Sequence, residues 1–145
     1  MSNIIVLGSG MVGSAMALDL SKNHKVTVAD INKSALEQLV AESNTIKSMV
    51  LDVTDEALLK NTLKTFEIVV CAVPGFLGYQ TLQWIIEAGK NVVDISFFPE
   101  DALALSDLAT SLGVTAIVDC GVAPGMSNII LGYHNETMKI ASFDC

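Results

Sequence analysis

Apolar positions in this chain follow two rhythms: short unbroken runs, and stretches in which they recur every three or four residues. The runs predict six strands, at Ile4–Leu7, Val26–Asp30, Lys47–Asp52, Glu67–Val73, Val92–Ile95 and Val114–Asp119. A run that is apolar at every position, such as Ile68–Val73, belongs to a strand covered on both faces, as in the middle of a parallel sheet.

The helical rhythm fills the gaps. Val12, Ala15, Met16 and Leu20 predict a first helix over about Gly10–Ser21, and Leu36, Leu39 and Val40 a second, capped by Asn32 and reaching Glu42. Thr54 is expected to cap a third, with Asp55 and Glu56 in a first turn that favours acids and Leu58, Leu59, Leu63 and Phe66 inward. Further helices are expected over Leu77–Ala88, stopped by Gly89, from Pro99 to Leu112, stopped by Gly113, and over Met126–Glu136. Lys139–Cys145 reads as one more strand. Six βα units with short connections and right-handed crossovers give a doubly wound parallel sheet of order 3-2-1-4-5-6, the Rossmann-type α/β fold.

In that fold ligands bind beyond the carboxyl ends of the strands, near the switch point between the first and fourth. The turn after the first strand is Gly8-Ser9-Gly10-Met11-Val12-Gly13. Glycine at this G-x-G-x-x-G spacing permits the tight turn, then close approach to a pyrophosphate, then close packing of the helix, whose free N–H groups face the phosphates. Asp30 ends the second strand 17 residues after Gly13, where a carboxylate accepts from both adenosine ribose hydroxyls and repels a 2′-phosphate. The expected cofactor is therefore NAD rather than NADP. Asp52, Asp94 and Asp119 end three further strands, and Pro74-Gly75 ends the fourth. Each acid has two readings: contact with a ligand, or local ordering of its own loop. Ser96 and Phe97 either meet the nicotinamide end or cap and pack, and the loop from Pro74 to Gly78 either lies along the cofactor or simply turns.

Composition narrows the classes. Half of the 145 residues (51%) are hydrophobic and only 17% charged, which fits a globular chain and not a disordered one. Net charge is −8, with eight lysines and no arginine. That balance argues against nucleic acid as a partner, and no apolar run is long enough for a membrane span. No signal-peptide pattern opens the chain, so the cytoplasm is the expected compartment. Without arginine there is no residue of the usual kind to clamp a 2′-phosphate or a substrate carboxylate. Cys71, Cys120 and Cys145 form no C-x-x-C pair and read as reduced core thiols, and no metal site is expected.

Three segments carry a more specific likeness: Ala72-Val73-Pro74-Gly75-Phe76-Leu77-Gly78, Val93-Asp94-Ile95-Ser96-Phe97-Phe98-Pro99-Glu100, and Asp119-Cys120-Gly121-Val122-Ala123-Pro124-Gly125-Met126-Ser127-Asn128. With these the chain resembles the saccharopine dehydrogenase family, and within it the L-lysine 6-dehydrogenases. The resemblance implies hydride transfer between C4 of a nicotinamide and the carbon of a lysine-like C–N bond, the resulting imine being hydrolysed by water. It implies a cofactor site of Gly8, Ser9, Gly10, Met11, Val12, Gly13, Asp30, Ile31, Asp52, Val53, Val73, Pro74 and Gly75. Phe76, Ser96, Phe97 and Gly121 would meet an amino-acid substrate, and Asp94 and Asp119 are the candidate catalytic carboxylates. It further implies a dinucleotide-binding domain over 1–125. Residues 126–145 would then be a connecting helix and the first strand of a second domain, through which the whole enzyme dimerises. A fragment without that domain is expected to bind NAD and turn over nothing.

Two other classes share the glycine turn. A regulatory NAD-binding module of the kind that gates potassium transport explains a catalysis-free chain of this length, but not the proline-glycine loops after the fourth and sixth strands. A methyltransferase would carry an acid at the end of the first strand, where Leu7 stands here.

Overall fold

A computed structural model of the chain describes residues 1–122 and 124–144. Among them, strands and helices alternate as β1 (Asn3–Leu7), α1 (Met11–Leu20), β2 (Lys25–Asp30), α2 (Lys33–Glu42), β3 (Lys47–Val50), α3 (Glu56–Leu63), β4 (Ile68–Cys71), α4 (Gly75–Glu87), β5 (Asn91–Asp94), α5 (Ser106–Leu112), β6 (Ala116–Ile117) and α6 (Met126–Asn135). A 3-10 turn, Ala102–Leu105, leads into α5. The strands form one sheet in the order β3-β2-β1-β4-β5-β6, with every pair parallel. This is the expected doubly wound arrangement. Leu7, at the end of β1, lies between Ala29 of β2 and Cys71 of β4, so the switch point falls directly beyond Leu7.

Side chains of the central strands divide between the two faces of the sheet by strict alternation. Ile5 and Leu7 join Val69, Cys71 and Val92 under α3, α4 and the 3-10 turn, with Leu59, Leu63, Leu82, Ile85, Ile86 and Leu105. Ile4 and Val6 join Val26, Val28 and Val70 under α1 and α2, with Ala17, Leu36 and Leu39. Trp84 is half-buried against the first of these layers.

Several local expectations need correction. α1 turns Gly13 and Ala17 to the sheet and leaves Val12 and Ala15 exposed, because small residues let this helix come close to the strands. Val40 and Leu58 are likewise exposed. Asp55, not Thr54, caps α3: its Oδ1 accepts from the Leu58 N–H at 2.9 Å, while the Thr54 hydroxyl donates to Asp52. Asn32 caps α2 as expected, accepting from Ala35. α4 begins two residues early, at Gly75, because the chain hydrogen-bonds helically from the Pro74 carbonyl onward. β6 keeps only two residues of its expected six, since Asp119 turns to a positive φ of 56° and leads the chain out of the sheet. The strand expected over Lys139–Cys145 has no counterpart in residues 139–144. A strand requires a neighbour to hydrogen-bond, and none of the described ladders reaches that segment. Cys145 lies outside the described residues.

Candidate functional site

Backbone meets backbone at the switch point. Gly8 adopts φ 107° and donates its N–H to the Ala29 carbonyl, and a Cβ there would lie 2.5 Å from the Ala72 carbonyl oxygen. A Cβ on Gly13 would overlap the Gly8 carbonyl. The glycine turn, α1 and the end of β4 are therefore clasped without side chains between them. Gly10 differs: nothing lies within 4 Å of where its Cβ would stand, and it is exposed. Its open side is the approach that a pyrophosphate requires.

The helices that follow β1 and β4 start differently from those that follow β2 and β3, although α6 also lacks a side-chain cap and a first-turn acid. Asn32 caps α2 and Asp55 caps α3, but α1 and α4 start at Gly10 and Pro74 with no side-chain cap and no acid in the first turn. Their first N–H groups and the positive end of the helix dipole are left for an anion. Large apolar side chains stand exposed beside them: Met11 (95%), Ile31 (67%), Phe76 (85%) and Phe97 (74%). Apolar surface of that size gathered round two uncapped helix ends has the character of a ligand groove.

Asp30 braces the turn. Its Oδ2 accepts from the Ser9 N–H at 2.6 Å and its Oδ1 from the Asn32 N–H at 2.8 Å. Burial pushes its pKa up, but the donated N–H bonds outweigh burial and hold the carboxyl below its ordinary 3.8. It is ionised at neutral pH. Asp52 is exposed, and its Oδ1 takes both the Thr54 hydroxyl and N–H, which also lower its pKa. This is the local loop-ordering role, with Oδ2 still open to solvent. Val53 and Val73 are buried, while Pro74 is exposed.

At the other half of the edge Ser96, Phe97, Gly121 and Asp119 come together, whereas Phe76 and Asp94 do not line the same cavity. Ile95, Ser96, Phe97, Asp119, Gly121 and Pro124 line a cavity of about 110 Å³. A larger hollow of about 320 Å³, between α4, α5 and β6, includes none of the strand-end acids or glycines. The two acids expected to act as catalysts prove unequal. Asp119 is exposed on the cavity wall, whereas Asp94 is fully buried (0%) and has no surface with which to touch a substrate. Burial raises the Asp94 pKa above 3.8 despite the opposing Cys71 thiol and two bonds from Ser96, and the nearby Asp119 adds to the rise. Burial likewise pushes up the thiols of Cys71 and Cys120, with Asp94 adding to both, so neither is a ready nucleophile. Both are free, Cys71 buried and Cys120 half-buried. No cluster of three or more metal-ligating side chains occurs among the described residues, and no described helix is long and apolar enough to cross a membrane.

For two glycines of the Pro74–Gly78 loop, the structure adds a packing role that the sequence reading did not foresee. A Cβ on Gly75 would overlap the Phe97 carbonyl, and one on Gly78 would overlap the Ser96 hydroxyl, so the first turn of α4 is pressed against the loop after β5. Their G-x-x-G spacing repeats that of Gly10 and Gly13, which is the signal that could have revealed it. Gly125 likewise gains a packing role: it adopts φ 134°, and a Cβ there would overlap the carbonyl of Gly121 and crowd that of Asp119.

Comparison with known proteins places these features in a family. The family model described as the saccharopine dehydrogenase NADP binding domain matches residues 4–117. Saccharopine dehydrogenase [NADP(+), L-glutamate-forming] of Schizosaccharomyces pombe is 28% identical over 150 aligned positions, covering 99% of this chain and 33% of that protein. The enzyme of the same name from Saccharomyces cerevisiae is 25% identical, covering 97% of this chain and 33% of that protein. Among solved structures, apo histidine-tagged saccharopine dehydrogenase (L-Glu forming) from S. cerevisiae superposes with a TM-score of 0.82 at 24% identity, over 94% of this chain and 31% of that one. The chain thus spans about a third of the length of the curated relatives it matches.

Proposed function

This chain belongs to the saccharopine dehydrogenase NADP binding domain family, and from that premise we propose that it holds the dinucleotide of an amino-acid oxidoreductase acting on a lysine-like C–N bond. The observation that carries the reading is the pair of uncapped helix ends, α1 and α4, flanking an unobstructed Gly10. The residues present fit such a cofactor: Gly8–Gly13 for the pyrophosphate, Asp30 for the adenosine ribose, and the Pro74–Gly75 turn for the second ribose. Bound there, the nicotinamide supplies a hydride acceptor at C4. The protein's part is to orient that ring with the Ser96–Phe97 loop and to exclude water from its face. Asp119 is placed in the proton-accepting role, as the exposed carboxylate of the small cavity.

The family model and the curated relatives are named for NADP. For this chain we propose NAD. An ionised Asp30 beside the ribose repels a 2′-phosphate, and there is no arginine anywhere in the sequence to hold one. Residues 126–144 are proposed as the connection to a substrate domain, since Met126, Ile129 and Tyr133 on α6 stay exposed.

Titration of the chain with NADH and NADPH tests the assignment. NADH should bind more tightly, and Asp30→Ala should weaken it about tenfold or more, the loss expected for hydrogen bonds to a charged acceptor. The variant's NADPH-to-NADH ratio is the decisive readout, because loosening of the Ser9 turn weakens both ligands alike. An unchanged ratio removes Asp30 from the ribose site.

A further inference from the structure

Asp94 closes β5 opposite Cys71 of β4 and is sealed from solvent. Its Oδ1 accepts twice from one residue, from the Ser96 N–H at 2.8 Å and the Ser96 hydroxyl at 2.5 Å. Its Oδ2 is buried and receives no conventional hydrogen bond, the weakly donating Cys71 thiol lying close to the carboxylate. A buried carboxyl oxygen without a hydrogen bond is costly, and its retention calls for a reason. The Asp94 carbonyl also accepts the Cys120 N–H at 3.1 Å, and the next residue, Ile95, donates its N–H to the Cys71 carbonyl at 3.0 Å. Asp94 and Ile95 together therefore tie the ends of β4 and β5 to the turn that carries Asp119.

What the side chain holds is narrow. Both donors of Ser96 are committed to Asp94, and Ser96 is buried although it lines the cavity. On the opposite side the Ser96 hydroxyl and the Phe97 carbonyl rest on Gly78 and Gly75, where no Cβ would fit. Pinned from two sides, the loop has one path, and that path presents Phe97 at the cavity with its ring exposed.

We propose that Asp94 is a positioning residue that acts through Ser96 to set Phe97 as the wall for the nicotinamide end of the dinucleotide. The proposal rests on the dinucleotide reading above. It assigns Asp94 a task that needs no contact with substrate or cofactor.

The test compares NADH with ADP-ribose, which keeps the adenosine and pyrophosphate but lacks the nicotinamide, on the full 145-residue chain. Ser96→Ala and Asp94→Leu should weaken NADH about three- to tenfold, the scale of one or two lost hydrogen bonds. Both should leave ADP-ribose within about twofold. Asp94→Asn keeps an Oδ1 acceptor for Ser96 and should restore NADH affinity relative to Asp94→Leu. Ser96→Ala removes only a hydroxyl, so it serves if the leucine variant does not fold. Equal weakening of NADH and ADP-ribose would make the pair merely structural and overturn the proposal, as would unchanged NADH binding in both variants. Equal affinity of the unsubstituted chain for the two ligands would also overturn it, while leaving the dinucleotide site standing. If the unsubstituted chain binds neither, the underlying dinucleotide reading fails and the proposal with it.

Discussion

A Cβ placed on Gly13 would run into the Gly8 carbonyl, whereas one placed on Gly10 would meet nothing within 4 Å. Gly10 also has an extended backbone, φ −67° and ψ −179°, that any residue adopts. The two glycines of one motif thus stand in different surroundings, Gly13 required by the fold and Gly10 left open for the ligand we propose. Gly13→Ala should lower stability by about 1–3 kcal/mol, the usual range for overpacking, read as a fall in thermal midpoint. Gly10→Ala should leave the midpoint almost unmoved and weaken NADH on the order of tenfold, the equivalent of about 1.4 kcal/mol of obstructed contact. A Gly10 variant that loses stability but keeps NADH affinity would reverse these roles. The motif was legible in the sequence, but this division was not, because spacing does not reveal which Cα faces a carbonyl. The same holds for Asp94 and Asp119: both are strand-end acids in sequence, and burial separates them.

Among the elements, the helices show how a side-chain cap is assigned by position rather than by residue type. Thr54 and Asp55 are both competent caps, and Asp55 wins because it stands immediately before the first helical residue, within 2.9 Å of the Leu58 N–H. Asp55→Ala should therefore cost about 1 kcal/mol and lower the thermal midpoint by a few degrees. Thr54→Ala should cost less, since its hydroxyl bonds only an exposed Asp52. Equal losses in a paired melting experiment would return the cap to Thr54. Strand lengths were the least legible feature. β6 is short because the chain turns at Asp119, and residues 139–144 form no strand because none stands beside them. Apolar run length records burial, whereas a ladder depends on a neighbour that the run does not name.

For the molecule as a whole, the buried acid makes stability depend on pH in an unusual direction. Asp94 has a folded pKa raised above its ordinary 3.8, so between those values the folded chain binds more protons than the unfolded one. Its contribution is fully present below the unfolded value and lost as pH rises through the folded one. Asp30, whose pKa is lowered, works the other way: its contribution is present above the unfolded value and lost as pH falls through the folded one. Differences between Asp94→Asn and the unsubstituted chain isolate the first effect. The variant's thermal midpoint should rise relative to the unsubstituted chain as pH climbs from about 4 toward 7, and the gap should close near pH 3. A gap that stays constant across that range would mean burial does not govern this carboxyl.

The sequence by itself determined the strand and helix order, the parallel sheet with its switch point, the glycine turn and the acid beside it. These follow from hydrophobic period and from glycine and acid spacing, which are local properties of the chain. Only the tertiary structure decided that Asp94 is sealed while Asp119 is open, that Gly75 and Gly78 seat the Ser96–Phe97 loop, and that α1 and α4 keep their first turns uncapped beside each other. Those outcomes depend on distances between segments far apart in sequence, and such distances arise only when the strands pair and the helices pack.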